Sequence, residues 1–317
     1  MPLLESDYTP KGLFLNPHFN TFYASNIRRP LALSYTRKKI ETDDGDFLNI
    51  DLLKNGNRKA VVLCHGLEGG SDAGYIQGAA GKLHDSGYDI LAMNLRFCNG
   101  EINRQLRTYH HGETEDLNTA INSIIEEYDE IFLVGFSLGG NIVLKYVGDG
   151  IYPIDPKIKA VVSISVLMDL DGGVSELAKF KNRFYNNFFL KKLKKKIKLK
   201  HKQHPSKINL EKLHKVKTLV DFDEYITCAV YGYESLQDYY SKCNSKQFLN
   251  QITIPTLIIN SLDDPFLSKS CYPFKEAEEN PSLFLMTPKY GGHVGYSGVG
   301  DSYLWSERKI LDFIQRG

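Results

Sequence analysis

The chain reads as a doubly wound α/β protein with a mostly parallel sheet, on two observations. Six short apolar runs with β-branched content, "KAVVLCHG", "YDILAMN", "EIFLVGF", "KAVVSISV", "TLIIN" and "SLFLMT", recur along it. Continuous runs of this kind suit parallel strands buried on both faces. Helical patterns lie between them, and strand alternating with helix predicts a sheet covered on both sides.

Ahead of these runs, "SYTRKKIET" and "GDFLNIDLL" predict an antiparallel hairpin around Asp44-Gly45. In "ETEDLNTAINSIIEEY", Leu117, Ile121, Ile124, Ile125 and Tyr128 fall on one helical stripe. Glu113, Glu115 and Asp116 occupy its first turn, where the helix dipole favours carboxylates. "GNIVLKYVGDG" is apolar and stops at glycines, as a helix buried against a sheet does. The alternation lapses from 168 to 250, which predicts a helical, lysine-rich cap inserted between the sixth and seventh core strands. Residues 1–167 and 251–317 then form the core. "DSYLWSERKILDFI" closes the chain as a helix, with Asp301 or Ser302 expected as its N-cap.

With 317 residues the chain is long enough for a full core. Its 42% hydrophobic and 24% charged residues are ordinary for a soluble protein. No stretch approaches the roughly 20 apolar residues of a membrane span, and "MPLLESDYTPKGLF" lacks the pattern of a signal peptide. Five scattered cysteines without a Cys-x-x-Cys pair suit reduced thiols, so a cytoplasmic location is expected. A net charge of +1 gives the whole molecule no bias toward nucleic acid. Charge is uneven, however. Residues 179–217 hold 15 Lys or Arg against the single acid Glu211, while the remainder is acidic.

"LVGFSLGGN" sets Ser137 between two glycines, after one apolar run and before a helical pattern. A turn that tight strains the central residue and needs glycines where side chains would meet backbone. The alternative is a plain strand-to-helix turn. A serine hydroxyl becomes a nucleophile when an imidazole takes its proton and a carboxylate orients that ring. On this architecture the expected order is serine, acid, histidine, each after a strand. "TLIINSLDDPF" supplies Asp263 and Asp264, and "LFLMTPKYGGHVGY" supplies His293, the one histidine beyond the acid loop. Asp264 is preferred because Pro265 fixes the turn after it, leaving Asp263 as a turn residue or supporting acceptor. The glycine-rich "CHGLEGGS" turn predicts an oxyanion hole made by the amides of Leu67 and Leu138. It lacks the Gly-Lys-Ser/Thr ending of a phosphate loop. "YHHGETED" lacks metal-ligand spacing and reads as a helix start, and Cys98 reads as a buried inert thiol rather than a cleft residue.

Further strings, "HGLEGGSDAGYIQ", "NLRFCNGEINR", "YHHGETEDL", "GFSLGGN", "DFDEYITCAVYGYESLQDYY", "DDPF" and "GGHVG", occur in the order of the signatures of AB hydrolase family 4. "NPHFNTFYA" also resembles that family's N-terminal segment. The chain therefore resembles the YheT-like α/β-hydrolases, which implies the α/β-hydrolase fold and a Ser137, Asp264, His293 triad. It departs from the family at Phe97, where a glycine usually follows the arginine. The resemblance implies hydrolysis of carboxylic esters, as a carboxylesterase or lipase-like enzyme, with some relatives acting on lipids. The chemistry needs no metal or organic cofactor. An acyltransferase using the same residues, or an idle lipid-binding or interaction module, are the alternatives; haloalkane or epoxide chemistry would need aspartate at 137.

"FYNNFFLKKLKKKIKLKHK" puts Phe180, Phe184 and Phe188 on one helical face and Leu190, Leu193 and Ile197 on another. Either the helix breaks near Phe189 or it is covered on two sides. The favoured reading is a cap helix with solvated lysines. The sharper one is peripheral contact with an anionic membrane, where each lysine contributes on the order of 1 kcal/mol. The expected partner is a small-molecule or lipid ester, and nucleic acid is not expected.

Overall fold

Both sides of the central strands are apolar in the sequence, and both are buried in the fold. The computed structural model describes residues 3–28, 31, 33–298, 300 and 302–316. Among them, nine strands form one sheet in the order β1-β9-β8-β7-β6-β4-β5-β3-β2. They are β1 Leu3–Leu4, β2 Thr36–Glu41, β3 Phe47–Leu53, β4 Lys59–Cys64, β5 Asp89–Asn94, β6 Glu130–Phe136, β7 Ile158–Ile164, β8 Thr256–Ile259 and β9 Leu283–Met286. All six apolar runs and both arms of the hairpin are strands. β3 alone runs against the direction of the other strands, pairing antiparallel with β2 and β5, while every other pairing is parallel. β1, which the sequence did not predict, is two residues long and pairs with β9, so it has no periodicity to read.

Side chains alternate between two apolar layers. On β4 and β5, Val62, Cys64, Leu91 and Met93 enter one, while Val61, Leu63, Ile90 and Ala92 enter the other. Each Val, Leu, Ile or Met among them contributes roughly 1.5–3 kcal/mol on burial. Helices α1 Pro17–Phe22, α2 Gly74–Asp85, α3 Thr114–Asn122 and α4 Leu138–Gly148 precede β7. The first layer is covered by α3 and α4 and the second by α2 and the terminal helix.

Between β7 and β8 the described chain holds helices and no strand: α5 Leu170–Ala178, α6 Arg183–Gln203, α7 Glu211–Lys215, α8 Leu219–Phe222, α9 Cys228–Tyr231 and α10 Leu236–Cys243. Their Leu190, Ile197 and Tyr239 join the same apolar cluster as Leu138 and Ile142 of α4. After β8 come α11 Phe274–Glu279 and α12 Trp305–Ile314.

Three expectations change. Helix α6 is neither broken nor covered on two sides: it runs 21 residues, burying Leu190 and Ile197 and leaving Phe184 and Phe188 65% and 43% exposed. Helix α3 stops at Asn122, and a 3₁₀ turn at Ile125–Glu127 carries the remaining stripe. Helix α12 starts at Trp305 with Leu304 before it, its first turn held by Glu307, whose Oε2 accepts the Leu304 N–H at 2.7 Å. Ser302 therefore does not cap it, and Asp301 lies outside the described residues.

Candidate active site

Parallel pairing sets Cys64 of β4 opposite Gly135 of β6. The turns that follow, His65–Gly66 and Ser137–Leu138, therefore leave the sheet side by side at its carboxyl edge, where α/β proteins bind ligands. Ser137 has φ 53° and ψ −117°, the strained conformation the motif predicts. A Cβ on Gly135 would strike the Gly139 carbonyl, and one on Gly139 would strike the Cys64 carbonyl, so neither glycine can carry a side chain.

Ser137 Oγ lies 2.8 Å from His293 Nε2. His293 Nδ1 lies 2.9 Å from Asp264 Oδ2. The other Asp264 oxygen accepts the Phe266 N–H at 2.8 Å, and the Phe266 ring packs 4.2 Å from the imidazole centroid. The three side chains, 156 and 29 residues apart in sequence, thus form one hydrogen-bonded chain, buried at Asp264 and His293 and open to the cleft at Ser137. Asp263 holds the histidine loop instead: its Oδ1 accepts the Gly292 N–H at 2.9 Å. Burial raises its pKa.

The amides of Leu67 and Leu138 find no acceptor among the described residues, and both residues line the cleft above Ser137. His65 braces the first turn, its Nδ1–H donating to the Gly66 carbonyl at 2.7 Å and its Nε2 accepting from the Leu95 N–H at 3.1 Å. Burial keeps that ring neutral, its pKa down at about 4. Glu68, next to Leu67, has φ 55° and is tied to helix α6 through Lys196 Nζ at 2.7 Å, while Tyr109 OH, from the loop before α3, donates to it at 2.6 Å.

The cleft has a volume of about 500 Å³ and is walled largely by apolar side chains from α4, α5, α6 and α8. Several of its residues were not singled out from sequence. Thr21 accepts the His293 N–H at 2.8 Å, and Asp223 also lines the cavity, as do His110 and His111, which the sequence offers only as part of a helix start. Cys98 does line the cleft, against expectation, but burial pushes its thiol up to about 11. Arg96 points away into a buried cluster, with Nη2 2.6 Å from Asp116 and Nη1 2.7 Å from Asp44. "YHHGETED" acts as a helix start, with His110 Nδ1 accepting the Gly112 N–H at 2.9 Å.

A model of the alpha/beta hydrolase fold matches residues 59–297. "Putative esterase YheT" of Escherichia coli (strain K12) is 31% identical over 98% of this chain and 93% of its own. The chain belongs to the YheT-like α/β-hydrolases. This hydrolase is also 31% identical to "Phospholipase ABHD3" of Bos taurus, over 93% of this chain and 74% of that protein. Its fold is shared with the esterase Pf2001 of Pyrococcus furiosus, at a TM-score of 0.61 and 16% identity over 90% and 91% of the two chains. It is a hydrolase of the esterase and lipase type, and none of its described helices is long and apolar enough to cross a membrane.

Proposed function

We propose that this hydrolase cleaves carboxylic esters, lipid esters among them, through an acyl-enzyme on Ser137. The reading rests on one observation: the 2.8 Å and 2.9 Å contacts that join Ser137, His293 and Asp264 under two amides without acceptors. His293 Nε2 takes the hydroxyl proton as Oγ attacks the ester carbonyl. The carbonyl oxygen becomes an oxyanion received by the N–H groups of Leu67 and Leu138. Asp264 fixes the tautomer that leaves Nε2 free and stabilises the imidazolium. Collapse of the intermediate sends the proton from Nε2 to the departing alcohol. Water, deprotonated by the same nitrogen, then attacks the acyl-enzyme, releasing the acid and restoring the Ser137 O–H.

Residues 168–250 act in this scheme as a cap on the core formed by 1–167 and 251–317. An apolar cleft of about 500 Å³ suits an aliphatic acyl chain, in keeping with the phospholipase among its relatives. A panel of p-nitrophenyl esters of graded acyl length tests the reading. Ser137→Ala should lower kcat by at least about 10⁴-fold without loss of fold, and a fluorophosphonate probe should label Ser137. Ester turnover undiminished in the variant would overturn it.

A further inference from the structure

Helix α6 shows solvent a single stripe. Phe184, Phe188, Lys191, Lys195, Lys198 and Lys202 follow at intervals of three or four residues and all are exposed. Asn186, Leu190, Ile197 and Lys200 are buried on the opposite side. Phe180, in the turn just before the helix, is 85% exposed. The stripe is aromatic at its first half and cationic at its second. Lys191, Lys195 and Lys198 have no carboxylate within ion-pair reach among the described residues, unlike Lys196, which is spent on Glu68.

The aromatic half lies at the mouth of the cleft, since Phe184 and Phe188 line it as well as facing solvent. Across the rim, Phe22 of α1 does the same. The two elements touch where the His18 and Tyr185 rings stack at 5.8 Å, one helical turn before Phe22. Exposed aromatics clustered at a cavity mouth and bordered by unpaired lysines mark an interaction surface rather than ordinary solvated surface.

We propose that this face docks the protein on an anionic lipid bilayer, Phe180, Phe184 and Phe188 entering the interface and the α6 lysines meeting anionic headgroups. Charge complementarity selects this occupant. Residues 179–217 are strongly basic and the rest of the chain is acidic, so an anionic surface attracts this face and turns the remainder outward. The rings supply apolar burial, which a lysine patch alone does not have. The mouth of the cleft then opens on the lipid. Delivery of lipid ester to Ser137 rests on the ester-hydrolase reading, whereas docking does not.

Docking is therefore measured on the Ser137→Ala protein, by sedimentation with vesicles of phosphatidylcholine alone or with about 30% phosphatidylserine. Binding to the anionic vesicles is expected, weakening steeply from ~0.05 M to ~0.5 M NaCl. Lys191→Gln, Lys195→Gln and Lys198→Gln together should weaken it about 100-fold, each lysine being worth roughly five-fold. Phe180→Ser with Phe188→Ser should weaken it in a protein whose circular dichroism is unchanged. No sedimentation at low salt, or equal binding to both vesicles, overturns the proposal. So does a dimer that the phenylalanine variant dissolves while vesicles never bind, because the face would then serve a second copy. Ester turnover by wild type without vesicle binding defeats the docking alone; vesicle binding without ester turnover defeats only the reading it serves.

Discussion

Asp263 and Asp264 are neighbours in sequence with different surroundings. Both oxygens of Asp264 are engaged, one by the imidazole and one by the Phe266 amide. Asp263 spends one oxygen on the Gly292 amide, and its Oδ2 is buried with no hydrogen-bond partner among the described residues. Asp264→Asn should therefore free the wrong imidazole tautomer and lower kcat by about 10⁴-fold. Asp263→Asn keeps an acceptor for Gly292 and should cost about ten-fold or less by the same assay. Equal losses in the two variants would mean that the acid assignment is wrong. From sequence, the preference for Asp264 rests on the proline that follows only that residue. Phe97 was legible only as a departure. It has φ 64°, a conformation that costs a side-chain-bearing residue roughly 1–2 kcal/mol. Its buried ring lies under the ammonium groups of Lys196 and Lys200, at 5.4 and 5.9 Å. The ring helps seat α6, a contact glycine could not make.

At the scale of elements, the strands were the most legible because burial on both faces leaves an unbroken apolar run. The short helices from α7 to α10 were not. With four to eight residues each, they are held by tertiary contacts rather than by a period. One π-helical turn among them, Asp223–Thr227, carries a buried acid into the cleft wall. Thr227 Oγ1 donates to Asp223 at 2.8 Å and Tyr240 OH donates at 3.2 Å. Burial nevertheless raises its pKa from 3.8 to about 7. Between those values the folded state holds a proton that the unfolded chain has released. Asp223 thus favours folding most below pH 3.8, and that contribution is lost as the pH climbs through 7. Asp223→Asn cannot ionise. Thermal unfolding should show it about 1 kcal/mol less stable than wild type at low pH, for one weakened hydrogen bond. The balance should then shift in its favour by up to roughly 4 kcal/mol by pH 8. A difference that is the same at both ends would mean that Asp223 does not titrate in this range.

Across the whole molecule, the beginning of the chain clasps the loop near its end. β1 pairs with β9, Tyr8 OH donates to the Ser297 carbonyl at 2.8 Å, and Asn20 Oδ1 accepts the Ser297 N–H at 3.0 Å. The glycines of "GGHVG" were legible as a source of loop freedom, but the structure gives them a sharper reason. A Cβ on Gly292 would strike the Pro17 carbonyl, and one on Gly291 would press on the Tyr296 ring. No local pattern shows a contact between residues 275 positions apart. Thr21 is the link that matters most to the site, accepting the His293 N–H while donating to the Pro17 carbonyl at 2.7 Å. Thr21→Val keeps the shape and removes the acceptor, leaving a buried amide unpaired at a cost of about 1–3 kcal/mol. The imidazole loses its anchor as well, and a misplacement of that order should lower kcat by roughly ten- to a hundred-fold. Thr21→Ser retains the hydroxyl and should restore most of it. A Val variant that melts earlier yet turns over esters at the wild-type rate would show that the clasp stabilises the fold without aiming the base.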